Sequence, residues 1–439
     1  MNRTAAAKWE EELDRPTTGF FRAFAALAAG SGGGEAAARE AVLRLAPEVD
    51  WTAYLPHVPH GLLGLAAVFR LRPLLRERSF LRLLATQVHA FAHESRSPGA
   101  RSLGGAARGS GHWDNLRMAL AGHRPAIAWG EARALDPVRP EHFRRLEEAV
   151  EPDMANVGHK AVLARLLGGL FLDLGEPPEA GRVLLALAAW QCASEPCDTF
   201  WHDRALHRFG HPVQVPRRPA ALGPEAHQAS AREVCDSGLV DLLDRFSARV
   251  LSGGDGDLLA TLALAAAEKQ LDARRDLEGK TSWNFVYLAA LAARAEAAGA
   301  SAATAWVQAA ALVNLFPTGE EEDRPRPAAL RDPPPDLATA LLDAILDGEA
   351  LPAMALARAL LERDGPEPVL RALAEAAADN DPAFNYSHQA LAVAAAADLA
   401  PRLPEPVREA VLLAMAKSLA NGQGSSDLGR LADSALTRA

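Results

Sequence analysis

The chain has 439 residues, enough to bury a large core in one domain or two medium ones. Alanine and leucine dominate, and aromatic residues make up only 6%; that bias favours helix, because strands want branched or aromatic side chains. A formal charge of -10 argues against a nucleic-acid partner, which needs clustered basic residues.

The opening stretch MNRTAAAKWEEELDRP is charged and has no apolar signal core. No uncharged apolar run reaches the ~20 residues that span a bilayer. The expectation is a cytoplasmic chain with no membrane partner. Cys192, Cys197 and Cys235 form an odd set without a CxxC pair, so free thiols are expected. A zinc site using Cys192 and Cys197 is the lesser reading.

Along the chain, helices are expected over 19–29 and 35–46, separated by the glycine-rich stretch 30–34. Pro59 opens a strong helix, HGLLGLAAVFRLRPLL, which Pro73 ends or kinks. Another helix covers 79–94, and 95–112 reads as a long loop or lid. Helices follow over 113–122, 140–149, 157–174 and 178–192, with a shorter one over 198–210. Residues 211–224 are rich in Pro and carry no periodicity. The pattern resumes over 229–251, 256–273, 281–298 and 301–315, before a second polar loop at 317–336. Helices over 337–346, 351–363, 366–379, 385–399 and 404–420 close the chain. No fixed-length repeat is present. The fold class is therefore all-α: an irregular multi-helical bundle or an α-solenoid-like single domain over 1–439, with halves 1–225 and 226–439 as the alternative division.

Histidines are the residues that stand out. His60, His159, His202 and His388 each share a helix face with apolar neighbours at i+3, i+4 or i+7, and His89 lies on a mixed stripe with Ala85, Ala92 and His93. One inward histidine is ordinary. Several on separate helices suggest a metal site, because imidazole suits Fe, Zn, Cu and Ni and helical proteins build such sites from inward ligands on different helices. His89 and His93 have i, i+4 spacing. His207 and His211 share that spacing beside Asp203 and Arg204, as at a solvated helix end. His112, His123, His142 and His227 are expected at the surface. The chain has no HExxH, GxSxG or Walker loop and no dinucleotide fingerprint.

Three segments carry a resemblance: VGHKAVLARLLGGLFLDLGEPPEAGRVLLAL at 157–187, GKTSWNFVYLAALAARAE at 279–296, and NDPAFNYSHQALAVAAAADL at 380–399. Together, with looser similarity around His60, they resemble a bacterial helical family with a Gly-His-Lys motif that is distantly similar to the questin oxidase-like family. That resemblance implies oxidative cleavage or Baeyer–Villiger chemistry on polycyclic aromatics, with non-haem iron held in some members by histidines and a carboxylated lysine. It makes His60 and His159 ligand candidates. The family pattern is broken in three places. His388 stands where the family has lysine, Asn385 where it has histidine, and Thr304 and Gln308 near a second expected histidine. Lys160 and Lys280 fit surface or supporting roles as well as any other.

The leading expectation is an oxygenase of natural-product biosynthesis, an oxidoreductase with Fe as cofactor and O2 as co-substrate. Its metal would be held by some of His60, His89, His159, His202 and His388, with His159 and His388 also the catalytic candidates. Trp201, Trp283, Tyr287, Trp306 and Tyr386 are candidates to line a pocket for a small aromatic substrate, beside the alternative of plain core packing. Two other readings remain open: a non-catalytic α-helical scaffold, and a cofactor-free oxygenase or cyclase with His159 or His388 as general base.

Overall fold

The computed structural model describes residues 3–17, 19–30, 33–46, 60–94, 108–151, 153, 158–194, 204, 208–209, 212–272, 282–315, 327, 329–380, 387–422, 424 and 427–438. The fold is all-α and multi-helical, with 21 α-helices among the described residues. One antiparallel pair of three-residue strands, Gln214–Pro216 against Ala300–Ala302, ties the Pro-rich stretch to the start of the helix Ala303–Leu315. A single cluster of buried apolar side chains runs from Trp9 to Ala435.

Four helices form a ring at the centre. They are His60–Leu71, His159–Asp173, Trp283–Ala298 and His388–Leu399, named below by their first residues. The His60 helix packs on the His159 and His388 helices, and the Trp283 helix closes the ring by packing on the same two. All four begin at the same end, so they run parallel, with their N-termini together. Two helices of the ring come from the first half of the chain and two from the second.

Glycines set the closeness of that packing. A Cβ on Gly61 would stand 2.7 Å from the backbone of Phe91, and one on Gly64 would stand 2.2 Å from Gln87 Oε1 and 2.5 Å from Ser387 Oγ. Real Cβ atoms do not approach so near, so the two glycines let the His60 helix lie flush against the helix Glu77–Glu94 and the turn at Ser387. Gly158, at φ 81°, turns the chain into the His159 helix in the left-handed region that glycine favours.

Elsewhere the structure departs from the sequence expectations in identifiable ways. Arg3–Asp14, Pro125–Ala134 and Asp427–Arg438 are helices that the apolar periodicity did not bring out. The stretch 229–251 is two helices, Pro224–Asp236 and Leu239–Ser252, broken at Ser237 and Gly238. His227 consequently sits inside the first of them, 1% exposed, with Nε2 3.6 Å from Asp257 and Nδ1 3.4 Å from Thr261 Oγ1. It is a core histidine and not a surface one. At the end of the 95–112 stretch, the N–H groups of Ser110 and Gly111 donate to Glu131, each at 3.0 Å. Residues 95–107 of the expected loop or lid and 317–326 of the second polar loop lie outside the described residues. No helix among the described residues is long and apolar enough to cross a membrane.

Candidate metal centre

The ring brings three of the expected histidines to one point. His60, His159 and His388 are each the first residue of a helix, following Pro59, Gly158 and Ser387. One imidazole nitrogen from each lies within 4.8 Å of the other two. His60 and His159 are 8% and 7% exposed, and the Nε2 atoms of all three are shut away from solvent. The His60 ring lies edge-on between the others, 4.8 Å from His388 at 85° and 5.6 Å from His159 at 77°. Trp283, which opens the fourth helix, stacks flat on His159 at 3.8 Å and 12°. Its ring is 5.9 Å from that of His388.

Supporting contacts orient this layer. Glu94, the last residue of the helix Glu77–Glu94, accepts from the Gly61 N–H at 2.7 Å and from the backbone of His60, so it satisfies free donors at the start of the His60 helix. Burial pushes its carboxyl up to about 7, against the pull of those two N–H groups. Ser387 donates to Gln87 at 2.7 Å, and Gln389 accepts from Asn380, which fixes the chain on both sides of His388. Lys160, 1% exposed, is paired with Asp153 at 2.8 Å and ties the segment before His159 to its helix. The thiol of Cys192 lies against the Lys160 carbonyl at 3.8 Å, and burial pushes its pKa up to about 12, a reluctant thiolate. Cys197 lies outside the described residues.

The donor set suits a metal ion. Imidazole nitrogens on three separate helices match Fe, Zn or Cu, and three protein ligands leave positions open. Two nitrogens on one tetrahedral ion sit about 3.4 Å apart, so the trio needs only a modest contraction to close on one. The four helix N-termini direct their positive ends at the same layer, which favours a negative group beside any ion held there.

The other expected site residues divide. His89 does not join the trio. It is packed between Phe20, edge-on at 5.0 Å, and Phe21, stacked at 5.2 Å, with His93 at 4.4 Å. Its ring surfaces are spent on aromatic contacts, and burial lowers its pKa to about 4. Trp306 is fully buried and donates its indole N–H to Ser301 at 2.7 Å, a contact that anchors the short strand pair. Tyr287 is buried one turn after Trp283. His202, Trp201, Tyr386 and Lys280 lie outside the described residues. Glu94 is the residue that sequence reasoning missed, because nothing in AFAHE marks a carboxylate that will cap a helix distant in sequence.

Two clefts of about 230 Å3 lie elsewhere, one beside His227, Pro404 and Glu409 and one beside Cys235, Asp236 and Asp272. Neither touches the trio. No protein-family model, curated protein or solved structure matches this chain.

Proposed function

We propose that this chain is a metal-dependent oxygenase, with a non-haem iron ion held by His60, His159 and His388 and a polycyclic aromatic natural-product intermediate as substrate. The observation that carries the reading is the meeting of three imidazoles from three helix starts, with nitrogens within 4.8 Å of one another. The resemblance carried by 157–187, 279–296 and 380–399 supports iron and an aromatic substrate. Iron with open positions supplies dioxygen activation when bound.

The residues around the trio have definable tasks in this reading. Trp283 holds the His159 ring in one plane by stacking on it. Glu94 accepts from the Gly61 N–H and the His60 backbone and so holds the start of the His60 helix in place. The converging helix ends hold an ionised phenol or enol of the substrate against the centre. The burial of the Nε2 atoms keeps bulk water from competing for them.

The same positive helix ends also favour a second reading, in which His159 or His388 deprotonates a phenol and no metal takes part. Oxygen uptake separates the two. Iron-loaded protein given a panel of hydroxylated polycyclic aromatics is expected to consume oxygen with at least one of them and to place oxygen from O2 in the product. Equal uptake by chelator-treated protein would overturn the metal-dependent reading in favour of the second.

A further inference from the structure

Beneath the histidine layer the ring of four helices is not filled. A cleft of about 30 Å3, open to solvent and lined by residues of all four, lies between them below the trio. Its positions follow the helical repeat downward from the trio. Val162, Val286 and Leu391 each come three residues after His159, Trp283 and His388, about 4.5 Å further along the axis. Ala290, Ala394 and Ala395 come six or seven residues after Trp283 and His388, about 10 Å along. The far end is charged. Arg70 and Asp398 stand ten residues after His60 and His388, about 15 Å along. They form an ion pair across the opening, with each side chain 29% exposed. Arg165 lies beside them and pairs with Glu147 at 3.9 Å.

The dimensions limit what this space admits. Thirty cubic ångströms holds one or two water-sized molecules, whereas pockets for drug-sized ligands run to roughly 300 Å3 or more. Between the trio and the charged end the walls are Val, Leu and Ala, which give a water molecule no hydrogen-bond partner and leave an apolar guest undisturbed. The partly exposed Arg70–Asp398 pair places the open end of the cleft at solvent.

We propose that the interior of this ring is a passage by which a diatomic apolar molecule, dioxygen in the reading above, reaches the histidine centre from the Arg70–Asp398 end. The aromatic substrate cannot use it and must approach the trio from another side. The proposal rests on the metal-centre reading for its destination, and the test separates the two.

Xenon-pressurised crystals of the chain as purified read the cavity alone, without iron or turnover. Xenon is expected between Val286, Leu391 and Ala394 in the wild type and absent from Ala394→Leu. In iron(II)-loaded protein, stopped-flow binding of nitric oxide reads the passage itself. The association rate is expected to fall severalfold in Ala394→Leu and to rise in Arg70→Ala, with iron content and final nitrosyl signal unchanged. Arg70 is partly exposed at a helix end, so its variant keeps the test open if the core variant fails to fold. An empty cavity under xenon, or rates that neither variant moves, would overturn the passage. Failure of the wild type to hold iron would instead overturn the metal-centre reading, and xenon in the cavity would then still show an apolar gas site.

Discussion

Two groups of histidines looked alike along the chain and differ in what surrounds them. His89 and His93 share one helix, one turn apart, with His89 pressed between Phe20 and Phe21. His60, His159 and His388 come from three helices and meet at their first residues, with their Nε2 atoms enclosed together. His89 is part of the packing, and His93 is exposed beside it. The trio gathers one imidazole nitrogen from each of three helices within 4.8 Å of one another. The difference lies in where the helices begin and how they converge, which spacing along one helix does not express.

The comparison breaks first, and hardest, on metal-linked stability. A ligand that binds only the folded state at 1,000 times its Kd adds about 4 kcal/mol. Added iron(II) is therefore expected to raise the unfolding midpoint of wild type and of His89→Ala by similar amounts, and to leave His159→Ala and His388→Ala unmoved. A midpoint shift in His159→Ala equal to that of wild type would remove the distinction between trio and pair.

Packing around the trio gives the next contrast. Gly64→Ala drives a Cβ into Gln87 and Ser387 and is expected to cost about 1–3 kcal/mol in urea denaturation. At Gly169, in the His159 helix, the nearest atom to an added Cβ is the end of Arg70 at 3.7 Å. There Gly169→Ala is expected to stabilise by about 0.5–1 kcal/mol through helix propensity alone. The same substitution thus has opposite signs at two places in the ring.

The pair should reveal itself by acid sensitivity. Burial, with the neighbouring His93 adding to it, lowers the His89 pKa from 6.5 to about 4. The unfolded chain then takes up the proton first. Stability from this site is fully present above pH 6.5 and is lost as pH falls from there towards 4, by up to about 3–4 kcal/mol. His89→Phe should flatten that slope between pH 6.5 and 4. A slope unchanged in this variant would place the acid sensitivity elsewhere. The smallest effect belongs to the stack: Trp283→Leu should weaken metal retention by about 0.5–1.5 kcal/mol, read by chelator competition, while the trio itself remains.

The helical class was legible in composition, and most helices in their apolar period, because both are properties of single segments. Pro125–Ala134 escaped because its apolar face is weak, although Pro125 at the first helical position is a start signal. His227 was misplaced for the same reason: its helix begins at Pro224, ahead of the apolar run. At the candidate centre, the inward faces of His60, His159 and His388 could be read from neighbours at i+3 and i+4. Their meeting could not. Nor could the separate fate of His89, whose stripe includes Arg82 and whose aromatic partners lie almost seventy positions earlier in the chain. Gly64 lets the His60 helix lie close to the turn at Ser387, and that effect depends on a partner far away in sequence.

The most direct test of the central claim is elemental analysis of the chain purified without a histidine tag, alongside His60→Ala, His159→Ala, His388→Ala and His89→Ala. Near-stoichiometric iron in the wild type and in His89→Ala, lost in the other three, is the predicted result. Well-folded wild-type protein that holds no metal even after anaerobic loading with iron(II) would contradict it.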